Sequence, residues 1–243
     1  AATALVFYVF VIATDIGLLF LALRALGAQV RAHEALANAL QLQRLVSQEV
    51  DHRLKNLMAT VSSLISMLQK HASTPKELGD QLRERIHALS HSIGMLRGAV
   101  DGEKISLRDA VHAALEPLGL SDRSRVRLEG PDVTVSSNGL IPLNLILHEL
   151  GTNSLKHGAF SNGSGMLRLT WNVTDPEEDA PMLHLAWLER SGPAAIPPAR
   201  TGFGTELLNR MSRSLGGACE FVFDAEGLTA RISMQCSHVL DGY

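Results

Sequence analysis

The run His148-Glu149-Leu150-Gly151-Thr152-Asn153-Ser154-Leu155-Lys156-His157-Gly158-Ala159 decides how the C-terminal half of this 243-residue chain is read. It follows without a breaker from Pro142, whose fixed φ suits a first helical turn, and it stops at a glycine, so the pattern predicts a helix from Pro142 to near Gly158. Glu149, Asn153 and Lys156 stand at i, i+4 and i+7, on one face. A carboxylate, an amide oxygen and an ammonium so placed could serve as a water-holding base, a magnesium ligand and a phosphate contact, and equally as a solvated polar surface.

The flanking sequence alternates helix and strand signals. Before the run, Ser106 and Asp109 announce a helix to about Leu118, and short β-like runs lie near Val126 to Leu128 and Val133 to Val135. After it, Met166 to Val173 and Leu183 to Leu188 read as strands on either side of an acidic turn from Asp175 to Pro181. A Pro-rich loop leads through Arg200-Thr201-Gly202-Phe203-Gly204-Thr205 into a helix from Thr205 to Leu215. Cys219 to Phe223 and Leu228 to Met234 then form a hairpin. Helices and strands interleave without strict alternation, which predicts an α+β sandwich with helices on one face of a mixed sheet. Glycines at the start of a helix let backbone N–H groups approach a phosphate, although a Gly-x-Gly pair also makes plain turns.

Upstream, the segment from Gly27 to Leu68 contains no proline and, after Gly27, no glycine, which allows one long helix. Its second half carries the stripe Leu54, Leu57, Met58, Val61, Ile65 and Leu68. Thr74, Pro75 and Glu77 start a second helix with the stripe Leu78, Leu82, Ile86, Leu89, Ile93 and Leu96. A hairpin of two such helices buries its stripes poorly alone, and pairing of two copies into a four-helix bundle is the simple remedy. Within the first helix, Asp51-His52-Arg53-Leu54-Lys55-Asn56 places His52 roughly opposite the apolar stripe, with Asn56 about 40° away. An exposed imidazole there could accept a group from a mobile partner, with Arg53 and Asn56 orienting it or incoming phosphates. A surface histidine without chemistry is the plainer alternative.

At the other end, Ala4 to Leu23 is nearly all apolar, with Asp15 its one charge, and is long enough for a hydrocarbon core of ~30 Å. A transmembrane helix over 4–26 is therefore expected, a buried or dimer-forming helix being the other reading. Arg24 and Arg31 behind it would put the remainder in the cytoplasm and the protein in the inner membrane. A signal peptide fits poorly, because no basic residue precedes the run. An opening at Ala1 reads as a piece of a longer protein. The chain is 46% hydrophobic, which excludes a disordered chain, and its net charge of −3, with the acidic excess after Asp101, argues against nucleic acid as a partner. The two cysteines, Cys219 and Cys236, have no ligand spacing for a zinc site.

Taken in order, these segments resemble the HWE subfamily of histidine kinases, close to the HisKA_2 or HRxxN group, over roughly residues 45 to 236. Asp51 to Asn56 is similar to the phosphoacceptor box and His148 to Ala159 to the N box. His148, Trp187 and Glu189 supply the residues that name the subfamily, and Gly202 to Leu208 resembles the last glycine box. The resemblance implies a helical dimerisation and histidine phosphotransfer hairpin over 28–101 and a GHKL-type ATP-binding sandwich over 102–238. It implies that ATP and Mg²⁺ are bound, with Asn153 as metal ligand and Lys156 near the phosphates. Glu189 is implied to accept from the adenine amino group, and His148, Trp187, Gly192, Gly202, Gly204 and Thr205 to complete the nucleotide site. His52 is the implied phosphorylated residue and the receiver domain of a response regulator the implied partner, with a homodimer formed through the hairpin.

Three positions depart from the family pattern. Ser191 stands where the adenine-side loop usually has glycine, and His157 where tyrosine is common. Arg53 follows His52 where many histidine kinases have an acid, which leaves Asp51 or Glu149 as proton acceptor. The competing function is a degenerate, non-catalytic module that binds a response regulator and whose ATP site is regulatory or silent.

Overall fold

The computed structural model describes residues 2–100, 104–122, 124–174, 180–198 and 202–243. The chain divides into two compact units, Ala1–Ala59 and Thr60–Tyr243. The first consists of the N-terminal part of helix α1 (Ala2–His71), and large apolar side chains such as Leu36, Leu42, Leu54 and Met58 stand about half exposed along it. Among the described residues no helix is long and apolar enough to cross a membrane, so the expected span over 4–26 is not supported. The inner-membrane placement, which rested on that span, falls with it. The least apolar part of the run is its middle, where Thr14, Asp15 and Gly17 stand and where a charge costs about 2.5–3.5 kcal/mol.

In the second unit the end of α1 turns at 72–74 into α2 (Pro75–Val100). The turn is held as its composition dictates: Thr74 Oγ1 accepts from the Glu77 amide at 3.1 Å, and the Glu77 carboxylate accepts from the Ser73 amide at 2.9 Å. The buried seam is rotated from the expected stripe. Leu64, Met67 and Leu68 of α1 and Ala88 and Leu89 of α2 are buried, whereas Ile86 is exposed.

Helices α3 (Leu107–Leu115), α4 (Ser137–Lys156) and α5 (Phe203–Ser214) accompany a sheet of β1 (Val126–Glu129), β2 (Met166–Val173), β3 (Met182–Arg190), β4 (Ala218–Asp224) and β5 (Gly227–Gln235). The strand order is β1-β2-β3-β5-β4, with β1 parallel to β2 and every other pair antiparallel. One face of the sheet is buried row by row: Leu169 pairs with Trp187, which pairs with Ala230, and Trp171 pairs with Leu185, which pairs with Ile232. This period-two burial makes the two-layer sandwich, because the apolar row must meet the apolar sides of the helices.

Two local expectations change. Helix α4 starts at Ser137, capped by Ser136 Oγ, which accepts from the Gly139 amide at 3.1 Å, so Pro142 lies inside the helix. Its missing N–H leaves only the carbonyl of Asn138 without its helical donor, a loss close to the helix start. Val133 to Val135 forms isolated bridges, Ser106 with Thr134 and Val135 with Leu240, instead of a strand. The acidic turn lies in part outside the described residues.

Leu169 is fully buried in the central row. Leu169→Ala should cost about 2–5 kcal/mol through lost contacts and a residual cavity, read as a lower urea midpoint at unchanged slope.

Candidate nucleotide site

A cavity of about 400 Å³ opens between α4, the loop after β3, the start of α5 and the β4–β5 hairpin. Its apolar walls include Leu150, Leu208, Phe221, Phe223 and Leu228, and its polar groups come from Asn153, Glu189 and the first turn of α5. That size and mixture suit a small ligand with a flat apolar part and an anionic part. At α5, Gly202, Gly204 and Thr205 line the cavity and no side chain caps the helix, so its first N–H groups and dipole are available to an anion. Gly204 lies close against both side chains: a Cβ there would lie 2.5 Å from Glu149 Oε1 and 3.1 Å from Asn153 Nδ2, so a larger residue would displace them.

At the opposite wall, Glu189 is 1% exposed, and both its carboxylate oxygens accept hydrogen bonds from the chain. The indole of Trp187, itself fully buried two residues earlier on the same strand face, donates to Oε1 at 2.8 Å. The Ala159 amide, just past α4, donates to Oε2 at 2.7 Å. A carboxylate oxygen has two lone pairs, so each keeps one for a donor arriving through the cavity. Gly192 belongs to the same packing, since a Cβ there would lie 2.5 Å from Ala159 Cα. Next to it Ser191 has φ 61°, the one positive-φ residue other than glycine among the described residues. The serine thus adopts the backbone that glycine would take at the departing position, at a cost of about 1–2 kcal/mol.

The structure separates the polar face of α4 into two environments. Asn153 lines the nucleotide-sized cavity, whereas His148 and Lys156 line a second cavity of about 450 Å³ with Glu84 and His87 of α2. Glu149, 4% exposed, accepts from Arg85 Nη2 at 2.8 Å. Sequence reasoning missed Arg85, although it left a signal. Leu78, Leu82, Arg85 and Leu89 follow helical spacing, and a charge set in an apolar seam calls for a buried counter-charge. Asp51 and Asn56 are exposed on α1 in the first unit, and the side chains of His52 and Arg53 lie outside the described part, as do Arg200 and Thr201.

Burial, reinforced by the Arg85 and Lys156 charges and opposed by Glu84, pushes the His148 imidazole down to about 4. The unfolded chain takes up this proton below its ordinary value of 6.5, while the folded chain resists until about pH 4. Stability from neutral His148 is thus full above pH 6.5 and drains as pH falls through that window. Urea titrations should show His148→Gln with a shallower stability loss between pH 6.5 and 4 than the wild type. Ser191→Gly should add about 1 kcal/mol at pH 7 by removing the left-handed strain, read in the same titrations.

The profile of the HWE histidine kinase family matches residues 49–132. The blue-light-activated histidine kinase of Brucella anthropi is 34% identical over 185 residues, which are 76% of this chain and 37% of that protein. Its counterpart in Brucella ovis is 33% identical over the same shares. The chain therefore spans little more than a third of the length of the curated relatives it matches. The solved blue-light activated histidine kinase of Erythrobacter litoralis EL346 aligns with a TM-score of 0.57 at 19% identity, covering 76% of this chain and 59% of that one. The histidine kinase domain of the same protein gives 0.51 at 16% identity, covering 74% and 95%. At such identities the two structures speak for the fold, while the family profile and the Brucella sequences speak for descent. The chain belongs to the HWE histidine kinase family.

Proposed function

We propose that the chain is the kinase portion of a two-component sensor, which transfers the γ-phosphoryl group of ATP to His52 and from there to an aspartate of a response-regulator receiver domain. The observation that carries the reading is the convergence of Glu189, Asn153 and the glycine-rich start of α5 on one cavity. Each has a separate task there. Glu189, held by Trp187 and Ala159, is oriented to accept from an exocyclic amine of the base. Leu150, Leu208 and the stacked pair Phe221 and Phe223 exclude water around a ring. The α5 N–H groups offer donors to phosphate oxygens.

Asn153 fits a Mg²⁺ ion, since it brings an amide oxygen to the same cavity and hard cations take oxygen ligands. Bound Mg²⁺ neutralises phosphate charge, on which phosphoryl transfer depends together with positioning. His52 supplies the accepting imidazole nitrogen, Arg53 and Asn56 orient it, and Asp51 or Glu149 takes its proton. The exposed Leu54, Met58 and Ile86 favour a homodimer through the helical hairpin, because a second copy would cover them. Ser191 keeps the adenine-side loop in the left-handed backbone that glycine would adopt, which speaks for a working site over a degenerate one.

Incubation with radiolabelled ATP and Mg²⁺ should give acid-labile, alkali-stable label on the wild type. His52→Ala should abolish the label and leave affinity for a non-hydrolysable ATP analogue within about twofold, whereas Asn153→Ala should abolish it with the fold intact. Wild-type labelling of His52→Ala would refute the acceptor assignment, and unchanged Mg²⁺-dependent labelling of Asn153→Ala would refute the metal ligand.

A further inference from the structure

The second cavity is lined from α2, α3 and α4 and shares no lining residue with the first. Its volume is about 450 Å³. A single buried water needs only roughly 10–15 Å³ of such space, whereas small-molecule sites run from roughly 300 to 1,000 Å³. Helix α4 gives it a polar column, because Asn144, His148, Thr152 and Lys156 recur at every fourth residue, and the first three span about 12 Å along the axis. Small apolar side chains, Ala88 of α2 and Ala113 and Ala114 of α3, line it as well and leave room beside that column.

Charge is confined to the mouth. Lys156 and Glu84 stand there 3.5 Å apart, with side chains 51% and 44% exposed, and neutralise each other. The nearby pair Arg85 and Glu149 is closed on itself at 2.8 Å and does not line the cavity. Inside, Asn144 is 2% exposed, yet neither atom of its amide has a hydrogen-bond partner among the described residues. The Thr152 hydroxyl, on a residue 7% exposed, is likewise unpartnered. Protein interiors leave few such groups, since each costs about 1–3 kcal/mol unless something meets it. Between them His148, pushed by burial to about 4, is neutral at pH 7 and holds one donor and one acceptor. A charged group would enter this interior without a counter-charge, so the matching ligand is neutral where it is buried. A primary amide presents an N–H donor and a carbonyl acceptor side by side, which pairs in two hydrogen bonds with a C=O next to an N–H.

We propose that this second cavity binds a small, flat, neutral heterocycle carrying adjacent N–H and C=O groups, the edge of a cyclic imide, with Asn144 as its two-point anchor and Thr152 as a further hydrogen-bond partner. The alanines admit the ring, and His148 meets its polar rim. The assignment is independent of the kinase reading, because it concerns other residues and another cavity.

Uracil is the probe, since it carries this edge and lacks the exocyclic amine that Glu189 is oriented to accept. In a proton–nitrogen NMR titration of the full chain, with a non-hydrolysable ATP analogue present throughout, uracil should shift the Asn144 side-chain NH₂ resonance saturably. 1,3-Dimethyluracil keeps the flat ring without an N–H and should bind at least about tenfold more weakly, as should uracil to Asn144→Leu and to Thr152→Val, the scale of one or two lost hydrogen bonds. In the variants the backbone amides of 143–153 report binding. Thr152→Val keeps the side-chain shape and removes a hydroxyl that has no partner among the described residues, so it carries the test even if Asn144→Leu does not fold. Absence of saturable shifts with uracil, or equal affinity for the dimethylated ring, overturns the proposal. Unaltered uracil affinity in the folded variants overturns it too, and means that only water meets these groups.

Discussion

A carboxylate shut inside a sheet-and-helix sandwich has to be satisfied by the chain, and around Glu189 that requirement organises the neighbouring structure. The indole N–H that meets one oxygen comes from Trp187, two residues back on the buried face of β3, so the strand must keep its pleat for both side chains to point the same way. The second donor is the amide of Ala159, which fixes where the chain leaves α4. Gly158 and Gly192 allow the backbones to close on that point without a Cβ between them. Once strand, helix end and loop are tied to one carboxylate, the cavity beside it has a fixed wall, and Asn153 and the start of α5 take their positions along α4 relative to it.

The parts that were legible in the sequence are those set by local chemistry. The Thr74–Glu77 capping pair marks the entry to α2, and Ser106 caps α3 by accepting from the Asp109 amide at 3.0 Å. The β4–β5 hairpin falls where its apolar runs lie. Ser191 stood out as a residue at a glycine position, and its φ of 61° shows what that position demands. The Gly-x-Gly before α5 and the Asn153 face were visible as candidates because glycine spacing and helical periodicity survive in one dimension.

The remainder depended on tertiary partners. Pro142 drew the start of α4 inward, although Ser136 was free to cap it six residues earlier. The hairpin stripe was read from apolar content alone, and the structure buries Leu64 and Met67 while leaving Ile86 exposed, because α4 also packs on one side of α2. The separation of His148 and Lys156 from Asn153 could not be read from periodicity, since it is α2 that fills one side of α4 and creates a second cavity there.

The ion pairs that join the hairpin to α4 and α5 differ in their access to salt. Lys70–Glu206 and Lys156–Glu84 have side chains about one-third to two-thirds exposed, and mobile ions screen such pairs within a Debye length of about 8 Å at physiological strength. Arg85–Glu149 is sealed, so the same ions do not reach it. Rising ionic strength therefore weakens this contact at its margin and leaves its sealed central pair unscreened, so the part of the contact that depends on charge is divided into a salt-sensitive rim and a salt-indifferent centre.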